Sequence, residues 1–170
     1  MKVNKILTIF LLIFLCVSCS KKDEPVKSVL NEKSLELQVI EAYQEGMDSL
    51  SKGDVLYAAK KFNEAEILFP QSTTAPKSAL MAAYAYYTQD YLADAISELQ
   101  RFIKVYPNYK DIDYAYYLMA ICFYEQIVDE KKDLQSIIKA KESFTIVLKK
   151  FPNTEYALDA NFKIDLINNI

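Results

Sequence analysis

Chemistry in this chain would have to come from thiols, carboxylates or phenols, because its 170 residues include no histidine. That removes the commonest general base and metal ligand. The cysteines are Cys16, Cys19 and Cys122. The first two stand three residues apart in "LCVSCSKKDE", a spacing open to a disulfide, a cut site or the edge of a membrane span. Cys122 lies within the apolar "LMAICFY"; with no histidine to take its proton, it reads as a packed thiol and not a nucleophile. The acidic pairs Asp94/Glu98 and Asp111/Asp113 read as solvated helix faces or helix starts. Lys60/Glu64 and Glu98/Arg101 read as helix-surface pairs, each contributing about 0.2–0.5 kcal/mol. Gly46 and Gly53 do not form a phosphate loop. No enzyme, cofactor or metal site is expected.

The element that carries Cys19 opens with Lys2 and Lys5, followed by an apolar run of 12 residues from Ile6 to Val17. Crossing a bilayer takes ~20 apolar residues, so the run is too short for a span and reads as a secretory signal. Small Ser18 directly precedes Cys19, with Val17 and Cys16 before it. This resembles the lipobox of bacterial lipoproteins, in which the signal is cut before a cysteine that takes lipid. Residues 1–18 are then the signal peptide, and Cys19 carries the lipid. Residues 19–35, including "KKDEPVKSVLNEK", form a charged flexible tether. Ser20 stands where Asp would resemble an inner-membrane retention signal, which favours the outer membrane. Cleavage removes two of the 20 basic residues and none of the 23 acidic ones, so the net charge goes from −3 to −5. There is no basic stripe for nucleic acid. Cys16 leaves with the signal and Cys19 is acylated, so Cys122 has no disulfide partner. Stability must come from packing, for which ~150 residues suffice.

Internal similarity is the main organising signal. Ala58–Phe62, Ala95–Leu99 and Ala140–Phe144 each pair an alanine with a large apolar residue four positions on. A proline follows eight positions later, at Pro70, Pro107 and Pro152. This is the second half of a tetratricopeptide repeat, a helix-turn-helix unit of about 34 residues. Alanine lets the two helices approach, the large residue fills the space between them, and proline stops the second helix. The expected fold is all-α: a tetratricopeptide superhelix of antiparallel helix pairs over residues 36–170. Its units cover about 39–72, 76–109 and 113–154, with a partial fourth at 155–170. Gly46 takes the small position of the first helix A, and Gly53-Asp54 make the turn after it. The third unit carries an insertion in "EQIVDEKKDLQ", expected to lengthen the loop between its helices. In the last helix, Ala157, Leu158, Phe162 and Leu166 are expected to pack on the third unit. Ile164, Ile167 and Ile170 are expected away from that face. A helix A with bare isoleucines reads as one awaiting its helix B, hence as the front part of a longer chain.

In this fold helix A lines a concave groove through residues spaced at three, four and three. Those positions hold Tyr43, Met47 and Leu50; then Leu80, Tyr84 and Tyr87; then Tyr117, Ile121 and Tyr124. Tyr presents a large apolar body with a polar tip, which suits a surface for extended or helical peptide. The competing reading has individual tyrosines packed between adjacent repeats.

The lipobox, the repeats, and the segments "RFIKVYPNYKDIDYAYYLMAICFYEQIVDEKKDLQ" and "FPNTEYALDA" together resemble the BamD family. That family is the lipoprotein subunit of the outer-membrane β-barrel assembly machinery. The resemblance implies a lipid-anchored scaffold on the periplasmic face of a Gram-negative outer membrane. It would bind unfolded outer-membrane proteins and a BamA-like barrel subunit, with other assembly lipoproteins beside it. A different periplasmic repeat lipoprotein, serving envelope division or pilus biogenesis, is the alternative.

Overall fold

The computed structural model describes residues 34–129 and 134–169. The expected signal peptide, Cys19 and the tether through residue 33 lie outside them, as do residues 130–133 of the insertion and Ile170. Seven helices follow in order: α1 Leu35–Ser51, α2 Val55–Leu68, α3 Ala75–Tyr87, α4 Leu92–Val105, α5 Ile112–Asp129, α6 Leu134–Lys150 and α7 Glu155–Asn168. Each packs on the next along the chain, and α5 also touches α7. The result is an all-α tetratricopeptide array, with α1/α2, α3/α4 and α5/α6 as its pairs and α7 as a further helix A. There is no strand among the described residues.

Local chemistry sets the helix ends. Ser34, Asp54 and Thr154 each accept a hydrogen bond from the backbone N–H three residues on, at Leu37, Tyr57 and Ala157. These N-caps satisfy donors that have no partner inside the helix. Pro76 sits in the first turn of α3, where its missing N–H costs nothing. Gly53 has φ +78° between α1 and α2, a conformation that a side chain disfavours. The three repeated prolines each stand two residues past a helix end, after Leu68, Val105 and Lys150. The residue between is aromatic each time: Phe69, Tyr106 or Phe151. The expected insertion loop is partly helical, because α5 runs on for 18 residues to Asp129.

The repeat pattern supplies the core. Ala58, Ala95 and Ala140 are 0% exposed, as are their partners Phe62, Leu99 and Phe144. A Cβ added to Gly46 would stand 2.8 Å from the Phe62 ring, so α1 and α2 approach closely only because that side chain is missing. The first unit's polar positions find partners as well. Glu45 of α1 meets the Lys61 ammonium of α2 at 2.8 Å, and the Ser49 hydroxyl donates to the Glu45 carbonyl.

Two expectations are corrected. Arg101 is not merely a surface partner of Glu98. Its guanidinium donates twice to Glu66 of α2, at 2.8 and 2.7 Å, while its Nε holds Glu98. Glu66 is only 6% exposed and also accepts from the Tyr106 hydroxyl at 2.7 Å. Glu64 pairs with Lys61 at 3.0 Å. The second correction is the face of α7. Ala157, Ala160 and Ile167 are buried and Ile164 packs beside them, a three–four–three stripe. Leu158, Phe162 and Leu166 are exposed, at 76%, 58% and 37%. Small Ala157 and Ala160 permit close approach to α6, which the larger residues would prevent.

Candidate functional site

The starts of α5 and α7 converge with the length of α3 from Lys77 to Tyr84. Lys77, Leu80, Met81 and Tyr84 come from α3. Tyr109, Lys110 and Asp111 come from the turn before α5, and Asp113 and Tyr114 from its start. Glu155 and Tyr156 come from the start of α7. Together they line a cleft of about 640 Å³, within the usual range for ligand pockets. Four tyrosines form much of its wall. Tyr114 and Tyr156 lie 5.7 Å apart between ring centroids, and Tyr156 stacks on Tyr117 at 5.0 Å. Tyr109 meets Phe102 edge-on at 5.8 Å.

The charges around the cleft are uneven. Lys77 holds its ammonium 4.9 Å above the Tyr43 ring of α1. Lys110 approaches Asp111 at 3.8 Å. Asp113 accepts the backbone N–H of its neighbour Tyr114. The Tyr156 phenol is raised above its ordinary pKa by burial first, then by the carboxylates of Glu155, Asp113 and Asp111. Tyr109 is raised by burial and then by Asp111. The Tyr114 phenol is raised by burial and then by the neighbouring tyrosines Tyr84, Tyr156 and Tyr87.

Of the nine groove residues read from the sequence, Leu80 and Tyr84 line this cleft. Leu80 does so from a largely buried position, 7% exposed. Tyr43 is half-buried, its ring 5.4 Å from Phe62, and Leu50 packs on the core of the first pair. Met47 is exposed. The remaining four fasten successive repeats. The Tyr87 hydroxyl donates to Glu125 of α5 at 3.0 Å. Burial, and then that bond, push its pKa up to about 12. The Tyr117 hydroxyl donates to Asp159 of α7 at 2.7 Å, and burial followed by that bond raises it likewise. Tyr124 sits edge-on to Phe144 and beneath Lys163, and Ile121 packs on the same cluster.

The pattern from sequence stopped one turn short. Continuing the second and third stripes toward the helix start gives Lys77 and Tyr114, and Tyr156 precedes Ala157 as Tyr114 precedes Ala115. Tyr109 lies in a turn, where periodicity carries no signal. No cluster that could hold a metal occurs among the described residues. Cys122 is fully buried; burial, and then Glu125, push its thiol up to about 12, so it stays protonated and inert at neutral pH.

The sequence pattern of the outer membrane lipoprotein family YfiO matches residues 36–170. The chain belongs to that family. Two relatives are called outer membrane protein assembly factor BamD. The one from Caulobacter vibrioides is 38% identical over 151 residues, covering 89% of this chain and 48% of the relative. The one from Rickettsia prowazekii is 35% identical over 169 residues, covering 99% of this chain and 65% of the relative. The chain thus spans about half to two-thirds of the length of these relatives. Among solved structures, the N-terminal domain of stress-induced protein-1 from C. elegans superposes with a TM-score of 0.61 at 16% identity. That match covers 77% of this chain and 98% of the domain, and at such identity the likeness concerns the fold alone. Within the YfiO match lie all the helical repeats and the whole cleft. No helix among the described residues is long and apolar enough to cross a membrane.

Proposed function

We propose that this YfiO-family chain is a non-enzymatic assembly factor for outer-membrane β-barrel proteins. It would be anchored by lipid on Cys19 and face the periplasm from the outer membrane. Its A-helix face would take segments of unfolded barrel proteins, including their C-terminal segments. It would dock on a BamA-like barrel subunit beside other assembly lipoproteins. The observation that carries this reading is the tyrosine-lined cleft built from three successive A helices. A large aromatic and aliphatic surface with polar tips fits extended polypeptide. Family membership and the relatives' names supply the class of cargo.

The anchor and the partners are tested together. Several acyl chains, at about 0.8 kcal/mol per buried CH₂, give stable membrane attachment. Cys19→Ala should leave an uncut or mislocalised precursor, whereas Cys16→Ala should be processed normally. A pull-down of the wild type from solubilised membranes should recover a large β-barrel protein, and loss of that recovery on Tyr84→Ala/Tyr114→Ala would tie it to the cleft. Normal anchoring of the Cys19→Ala chain, or no barrel protein in the eluate, counts against the proposal.

A further inference from the structure

The charges of the cleft specify what its occupant carries. Three carboxylates, Asp111, Asp113 and Glu155, line it against two lysines, and both lysines have local partners. Lys77 lies over the Tyr43 ring and Lys110 lies against Asp111. Asp113 and Glu155 stand at the starts of α5 and α7, each next in sequence to one ring of the Tyr114–Tyr156 pair. Aromatic faces are the negative part of a ring quadrupole and attract cations. The tyrosines and the three carboxylates, which outnumber the two lysines, therefore favour the same sign of charge. A free carboxylate entering here would meet a net negative wall. The lysines that could receive it, Lys77 and Lys110, are both exposed, Lys110 with 78% of its side chain open to solvent, where screening leaves little attraction.

We propose that, in the polypeptide segment it takes, the cleft selects a Lys or Arg side chain set among apolar ones and does not read a free terminal carboxylate. This deepens the peptide-groove reading and rests on it. A cation at the centre of the segment would lie between the Tyr114 and Tyr156 rings and the Asp113 and Glu155 carboxylates. Flanking apolar side chains would cover Leu80, Met81 and Tyr84. C-terminal segments of barrel proteins would then be held through internal side chains, with the chain end left in solvent.

The test uses the full chain in mild detergent and fluorescence anisotropy with short labelled peptides of alternating Phe and Leu. The central residue is Arg, Leu or Glu, and the Arg peptide is made both as the C-terminal amide and as the free acid. The Arg amide and acid should agree within about twofold. The Glu peptide should bind about tenfold more weakly than the Arg peptide, the sum of lost cation–ring and carboxylate attractions and new repulsion. Asp113→Asn with Glu155→Gln keeps the oxygen that accepts from Tyr114 and should erase most of the Arg-over-Glu preference. A free acid bound tenfold more tightly than its amide overturns the proposal. So does equal binding of the Arg and Glu peptides, or an Arg preference that survives the double substitution. Failure of every peptide to bind is a separate result, and it sinks the groove reading itself.

Discussion

Glu66 is a carboxylate taken largely out of water, and its position is tolerable only because three donor contacts meet it. Arg101 supplies two and Tyr106 the third. These residues join the second helix of one repeat to the second helix of the next, across 35 and 40 positions of chain. Removing Arg101 leaves a buried charge with one partner, whereas removing both charges leaves a gap that apolar atoms can fill. Arg101 is partly exposed, with 39% of its side chain open to solvent, so the full buried-pair cost is discounted. Arg101→Met should lower unfolding free energy by about 2 kcal/mol, measured by urea denaturation. Adding Glu66→Met should recover at least half of that loss. If the double variant is less stable than the single one, the network contributes more than compensation of one buried charge.

At the scale of single helices, α7 presents Leu158, Phe162 and Leu166 on a stripe that no other described helix covers. Such a stripe should bind an environment-sensitive dye and promote weak self-association of the chain. Leu158→Ser with Phe162→Ser should reduce both effects with a melting temperature within about 1–2 °C of wild type, because exposed positions carry little packing energy. A large drop in melting temperature would mean that these side chains are buried in solution. The same helix shows how far the sequence could be read. Alanine, a large residue and proline at fixed spacing declared every second helix, because two helices in close contact need a small residue opposite a large one. The first helices followed from the remaining apolar periodicity, and Gly53-Asp54 marked the turn between the first two. On α7 two apolar stripes compete, one spaced three–four–three and one four–four, and the larger, more hydrophobic one is the exposed one. Choosing between them requires knowing how closely α6 approaches, which is a property of the stacked pair. The link from Arg101 to Glu66 and the place of Tyr109 escape the sequence for a related reason: the partners or neighbours come from another repeat or a turn, and no local spacing encodes them.

Across the whole array, tyrosine hydroxyls recur where one repeat meets the next, and this gives the molecule a specific response to alkali. Tyr87 bonds to Glu125 and Tyr106 to Glu66, and each phenol is pushed up to about 12, burial acting first and the carboxylate bond second. Tyr86, Tyr109, Tyr114, Tyr117 and Tyr156 are raised as well, with burial the leading cause in each. In the unfolded chain a tyrosine loses its proton near pH 10. Between pH 10 and 12 the unfolded state therefore binds fewer protons than the folded one, and stability falls as pH rises. Below pH 10 both states keep these protons, so the contribution is fully present and flat. The expected outcome is a melting temperature flat from pH 7 to 8 that declines gently above about 8.5, where only the unfolded chain's Cys122 thiol loses its proton, and drops steeply above 10, the phenolate absorbance of the buried tyrosines appearing together with loss of helix. Tyr87→Phe with Tyr106→Phe should start less stable at pH 8, having lost two inter-repeat bonds at about 1 kcal/mol each, yet decline less steeply above pH 10. A stacked array transmits the loss of any one interface to its neighbours, so the alkaline transition should be a single cooperative step. Parallel pH profiles for wild type and the double variant, or the phenolate absorbance that the double variant lacks forming near pH 10 with helix content intact, would show that these hydroxyls are not held between repeats in solution.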